Sequence, residues 1–188
     1  MKFISTSIDG LIQIQPRIFE DSRGLFFESY NEKIFRENGI KEIFVQDNQS
    51  YSKKGVLRGL HFQLPPYAQG KLVSVISGRV LDVAVDIRFG SPTFGKYEMI
   101  ELDGKTKNMI YIPAGFAHGF VALEESCFHY KCTNLYNKNS ESGIIWNDQD
   151  LSIDWGVKNP IVSDKDLILK TFKEYIEKNS YINSSVIY

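Results

Sequence analysis

The run Val80-Leu81-Asp82-Val83-Ala84-Val85-Asp86 decides the reading of the fold. Apolar and polar residues alternate in it only in part, the pattern of a strand covered on both faces. Working outward, short β-rich segments at 25–30, 44–46, 56–62, 71–76, 79–87, 97–102, 109–112, 119–122, 126–133 and 143–146 are separated by Gly, Pro, Asn and Asp. Strands at this spacing predict a mostly β sandwich or barrel. Two helices interrupt the pattern. Asn31 is a cap for a short one running through Asn38, with Gly39 as its stop. Near the C-terminus, Ile168, Phe172, Tyr175 and Ile176 form an apolar stripe at helical spacing, suited to packing on the barrel. Residues 1–188 read as one domain, with the C-terminal helix and a polar, loose tail following from about residue 167. No internal repeat or low-complexity segment is present.

The chain has 188 residues, 43% of them hydrophobic and 24% charged, which is the composition of a folded globular protein rather than a disordered one. A chain of this length buries roughly 70% of its unfolded surface. The net charge of −1 gives no general field for nucleic acid or an anionic membrane, so phosphate binding must come from locally placed cations. Only six of the 22 basic residues are arginines, so an arginine inside a motif is informative. Cys127 and Cys132 are five apart in an expected strand, on opposite faces, which argues against a disulfide and for a reducing compartment. No stretch approaches the ~20 apolar residues of a membrane helix, and the start lacks an apolar signal core. A cytoplasmic protein is expected.

Of the three histidines, two sit in dense contexts. His61 lies in Arg58-Gly59-Leu60-His61-Phe62-Gln63 with Lys71 ten residues on. His118 lies in Pro113-Ala114-Gly115-Phe116-Ala117-His118-Gly119-Phe120. Each follows a glycine-containing turn, and cations lie near. His129 reads as an ordinary strand histidine.

The Pro-x-Gly-x-x-His piece resembles the second motif of the cupin superfamily, small double-stranded β-helix (jelly-roll) barrels. In metal-binding cupins the first motif supplies two histidines and a glutamate. Here it offers only His61, too few ligands for a metal site, so a barrel without metal or other cofactor is expected. The resemblance sharpens over Arg23-Gly24, Gln46-Asp47-Asn48, Arg58 to Gln63, Gly70-Lys71, Asp82 to Arg88, Ile112 to Phe120 and Tyr130 to Thr133. In this order they resemble the dTDP-4-dehydrorhamnose 3,5-epimerases.

That resemblance implies roles. Inverting a carbon beside a ketone needs a base of near-neutral pKa, which favours histidine. His61 would be that base, oriented by Asp166. Lys71 would stabilise the enolate, with His118 lining the pocket and Asp82 as its partner. Tyr130 would return the proton on the opposite face. Arg23 and Arg58 suit a diphosphate, and Tyr136 would stack on thymine. Glu28, Gln46, Asp47 and Asn48 would contact the nucleoside, and Glu141 and Lys165 would complete the binding set. The substrate implied is a dTDP-4-keto-6-deoxyhexose, namely dTDP-4-dehydro-6-deoxy-D-glucose. A homodimer is implied, in which an N-terminal strand completes the partner's site. Neither nucleic acid nor membrane is an expected partner. After Asp166 the chain departs from the family's short ending. Single-site 3- or 5-epimerases, 3,4-ketoisomerases, a metal-dependent oxygenase and a non-catalytic nucleotide-sugar-binding barrel are the alternatives on this scaffold.

Overall fold

The computed structural model describes residues 1–179. Two sheets face one another. The first has β1 (Lys2–Ser5), β2 (Ile12–Gln15), β10 (Met109–Ile112), β7 (Lys71–Ser77), β12 (Ser126–Cys132) and β5 (Gln46–Ser52), in that spatial order. The second has β13 (Glu141–Gly143), β6 (Leu57–Gln63), β11 (Phe116–Ala122), β8 (Arg79–Asp86) and β9 (Tyr97–Asp103). Neighbours in both sheets run antiparallel. A separate hairpin pairs β3 (Ile18–Asp21) with β4 (Gly24–Phe27). The architecture is the expected mostly β jelly roll.

β8 explains its own sequence. Val80 and Ala84 point between the sheets, into a core with Val73, Val75, Ile110, Phe116 and Phe128. Val83 and Val85 point the other way and are covered by Leu151, Trp155, Phe172 and Tyr175. With apolar cover on both faces, only Asp82 and Asp86 interrupt the run. The outer face of the first sheet has its own cover. Ile14, Leu72, Met109 and Tyr111 pack with Phe35 and Ile40, brought there by α1 (Glu32–Glu37). Asn31 caps that helix by accepting from Ile34 N, and Asn38 ends it before Gly39, as expected.

Several boundaries differ from expectation. β4 ends at Phe27 and does not reach Tyr30. The strand expected at 44–46 begins only at Gln46 and continues to Ser52, because it pairs along the whole of β12. The segment expected at 143–146 is β13, two residues earlier. β1, β2 and β3, each four residues long, are too short to show a period and were not expected. The single C-terminal helix expected from the sequence is two short ones, α2 (Asp164–Leu167) and α3 (Phe172–Asn179). Ile168 lies between them, 84% exposed, while Phe172, Tyr175 and Ile176 pack on the second sheet. Of the expected loose tail, Asn179 is buried at the end of α3 and the remainder lies outside the described residues.

Candidate active site

Two glycines bring the site together. β6 and β11 run so close that a Cβ on Gly59 would lie 2.5 Å from the Gly119 Cα, and one on Gly119 would lie 2.7 Å from the Arg58 carbonyl oxygen. Gly59 also has φ +133°, a conformation open mainly to glycine. The register of the pair slips between His118 and Phe120, and His61 and His118 sit directly opposite each other. Both histidines line a cavity of about 550 Å³ between the sheets.

His61 makes a 2.7 Å contact from Nε2 to Asp166 Oδ1. Asp166 is delivered by α2, whose cap Ser163 accepts from the Asp166 N–H. The second carboxylate oxygen accepts from the Gly59 N–H at 3.3 Å. Burial works to raise the Asp166 carboxyl, but the bonds from His61, Gly59 and Ser163 prevail and hold it below the usual range. An ionised carboxylate only accepts, so His61 carries its proton on Nε2, and Nδ1 is left as the acceptor.

His118 makes the parallel contact, Nε2 to Asp82 Oδ2 at 2.9 Å. Burial pushes this imidazole below its ordinary value; Asp82 opposes the shift, while Lys71 and His61 add to it.

The facing wall comes from the first sheet. Lys71 on β7 and Tyr130 on β12 both line the cavity, with the Lys71 Nζ 5.8 Å from the centre of the Tyr130 ring. No carboxylate of the described residues lies within ion-pair distance of that ammonium. Burial pushes Lys71 below its ordinary value, against the charges of Cys132 and Asp82. Burial pushes the Tyr130 phenol up, so it stays protonated well above neutral pH. Phe120 and Phe128, stacked with centroids 4.0 Å apart, supply an apolar surface beside these groups.

The mouth is polar. Lys165 Nζ donates to Glu141 Oε1 at 2.6 Å, and the Tyr136 hydroxyl donates to Glu141 Oε2 at 2.9 Å. Gln46 Oε1 accepts from the Tyr136 N–H, and Gln46 donates in turn to Asn48. Arg58 is pinned at the rim by Ser52 and the Tyr51 carbonyl.

Of the residues singled out in the sequence, His61, Lys71, His118, Tyr130, Asp166, Arg58, Tyr136, Glu141 and Lys165 converge on this one cavity. Gln46 and Asn48 stand behind its rim. Asp47 does not face it: the side chain turns to the opposite face of β5 and takes both oxygens to Lys131 Nζ, with His129 Nε2 at 3.6 Å. Arg23 and Glu28 are also apart from it. Arg23 is exposed on the β3–β4 hairpin in an ion pair with Asp21, and Glu28 accepts from Asn31. Gln63 had no assigned role, yet it is buried and ties down the loop carrying Tyr136 through Tyr67, Leu135 and Asn137. A polar residue in the otherwise apolar end of β6 was its signal. Ser163 was equally readable from its capping position three residues before Asp166.

Among the described residues, no group of three or more His, Cys, Asp or Glu side chains is placed to hold a metal ion. None of their helices is long and apolar enough to cross a membrane. A family model described as dTDP-4-dehydrorhamnose 3,5-epimerase matches residues 5–174. The chain is 53% identical over 169 residues to the dTDP-4-dehydrorhamnose 3,5-epimerase of Shigella flexneri, covering 89% of this chain and 93% of that one. A crystal structure of dTDP-4-dehydrorhamnose 3,5-epimerase from Elizabethkingia anophelis NUHP1 superposes with TM-score 0.89 at 52% identity, over 93% of this chain and 97% of that one. The dTDP-6-deoxy-D-glucose-3,5-epimerase of Legionella pneumophila, solved in complex with dTDP-4-keto-L-rhamnose, gives 0.88 at 49% identity, over 92% and 93%.

Proposed function

The chain belongs to the dTDP-4-dehydrorhamnose 3,5-epimerase family, and from that premise we propose that it inverts C3 and C5 of dTDP-4-dehydro-6-deoxy-D-glucose to give dTDP-4-dehydro-L-rhamnose. One observation carries this reading: an imidazole held by a carboxylate on one wall, facing an unpaired ammonium and a protonated phenol on the other.

The substrate's C4 ketone acidifies the protons on both neighbouring carbons. His61 Nδ1 takes one of them, and Asp166 supports the imidazolium that forms. The electron pair moves into the C4 oxygen, where the Lys71 ammonium meets the developing charge. The Tyr130 hydroxyl gives its proton to the carbon from the other face, and solvent restores each group. Two rounds invert two carbons. Arg58 suits the diphosphate through its planar fork, and Tyr136 suits a stacked thymine. Gln46, Asn48 and Glu141 support that end of the substrate, and Lys165 braces Glu141.

The hairpin fits a homodimer. Among the described residues its strands pair only with each other, and Phe19, Leu25 and Phe26 are exposed on it, Phe26 at 71%. In this reading it packs on a second copy and carries Arg23 and Glu28 to the partner's pocket, which accounts for their distance from their own. Asp47 then belongs to the outer sheet face and supports the nucleoside site only through its strand.

The test is incubation with dTDP-4-keto-6-deoxyglucose in D2O, with product stereochemistry and deuterium counted at C3 and C5. Deuterium at both carbons with double inversion is expected. In Tyr130→Phe, exchange is expected to persist while the doubly inverted sugar is lost, C5 being the more affected. Deuterium at one carbon only would make the protein a single-site epimerase. Full inversion at both carbons in Tyr130→Phe would remove Tyr130 as the acid.

A further inference from the structure

The segment between Ile161 and Lys170 is built unlike the rest of the molecule. It is pinned by backbone bridges at its two ends, Ile161 to Val56 and Lys170 to Ile144. Val162, just before α2, packs on the second sheet, but α2 itself has little apolar cover, with Leu167 and Ile168 both exposed. The only buried residue from 161 to 170 is Asp166, a charged one. The hydrophobic effect therefore does little to fix where α2 sits, and its few polar contacts must do so. Those contacts point two ways from adjacent residues. Asp166 reaches inward to His61 and the Gly59 N–H, and Lys165 reaches to Glu141 at the mouth. Glu141 in turn holds the Tyr136 hydroxyl.

We propose that Lys165 is a positioning residue for the base, and that the chain Tyr136–Glu141–Lys165–α2 transmits seating of the nucleotide end to the orientation of the His61–Asp166 pair. The proposal rests on the nucleobase platform assigned to Tyr136 above. Its physical content is that binding at a remote part of the substrate stiffens the catalytic pair, so the benefit is realised in turnover rather than in affinity. A residue that merely touched substrate would act mainly on KM.

The experiment compares Lys165→Met, Tyr136→Phe and Asp166→Asn, alone and combined, with kcat, KM and dTDP affinity measured for each. Lys165→Met keeps the aliphatic stem and loses the ion pair. It is expected to lower kcat about fivefold, the scale of a partly exposed ion pair, with KM and dTDP affinity within about twofold of wild type. Tyr136→Phe, which keeps the ring, should lower kcat less. In the Asp166→Asn background, Lys165→Met should cost nothing further, because the group it acts through is gone. Lys165→Arg should recover most of the loss. An unchanged kcat with raised KM, or the same fivefold loss in the Asp166→Asn background, overturns the proposal. The ring 15N signals of His61 should also move in Lys165→Met while those of His118 stay, and unmoved His61 signals overturn it as well. That spectroscopic arm needs no substrate, so an inactive wild type would refute the assigned reaction without deciding this inference.

Discussion

His61–Asp166 and His118–Asp82 are the same pair of groups, with contacts of 2.7 and 2.9 Å and the two histidines in register on neighbouring strands. Their surroundings separate them. The His61 side chain is 33% exposed and that of His118 is 7% exposed. Asp166 has a backbone N–H on its second oxygen, whereas Asp82 Oδ1 is buried with no partner. A proton can reach the first pair from the cavity. Charging the second would place an imidazolium near Lys71 in a dry interior, which is why burial depresses it. Under the proposed mechanism, access and not composition suits one pair to act as the base and leaves the other as part of the wall.

Removing the proposed base gives the largest expected effect. His61→Asn should lower C3 and C5 exchange together by about 10²–10⁴-fold, with dTDP binding retained in a calorimetric titration. His118→Asn should leave more activity. If His118→Asn proved the more damaging for exchange, the roles would be reversed. Next in size is Lys71→Met, which removes the cation facing both pairs. Turnover should fall about 10²–10³-fold, yet the fold should be as stable or more so. The sign follows from linkage. Burial lowers the folded value of Lys71 below 10.5, so the charged form is penalised in the native state at neutral pH. A denaturant midpoint below wild type would contradict this.

The comparison was only partly legible in the sequence. The glycine-containing turns before each histidine mark both as unusual, and the half-broken alternation of Val80–Asp86 marks a covered strand, but it is the resemblance of the Pro-x-Gly-x-x-His piece that implies a barrel interior for them. Parity within Gln46-Asp47-Asn48 held a further signal. In a strand, adjacent residues face opposite ways, so Asp47 could not share a face with its neighbours, and it pairs with Lys131 on the other side. What stayed hidden has physical reasons. The 105-residue separation of His61 and Asp166 is closed by a four-residue helix, too short to leave a periodic trace. The β3–β4 hairpin is apolar and exposed, so its burial pattern could not reveal how it is used.

Smaller effects come from trimming each pair's carboxylate. Asp166→Asn should reduce kcat by about tenfold or more, since the imidazolium formed on His61 loses its charged acceptor, with a modest change in stability. Asp82→Asn should do the opposite. Disturbing the partner of a buried imidazole should cost about 1–3 kcal/mol of stability, with kcat changed less than in Asp166→Asn. Urea unfolding and steady-state kinetics on the two variants check the crossing. Parallel losses in both assays would mean that the pairs are not functionally distinct.

The smallest effect is one of pH. His118 titrates below its ordinary 6.5 in the folded protein because it is buried. As pH falls through about 6.5 the unfolded chain takes up a proton that the native state resists. The unfolded state then binds more protons, so stability declines as the solution is acidified. The decline stops once native His118 itself titrates. Asp166, Glu141 and Asp86 are held below 3.8, 4.5 and 3.8, so what they contribute is lost only at more acidic pH. Between about pH 7 and pH 5 the wild type should therefore lose stability through this group, by at most about 1.36 kcal/mol per pH unit. His118→Gln, with nothing to titrate there, should lack that part of the slope. Its difference from wild type should shrink on acidification when both are unfolded in urea across this range. Identical slopes in the two proteins would mean that His118 is not held neutral, and the contrast with His61 would rest on access alone.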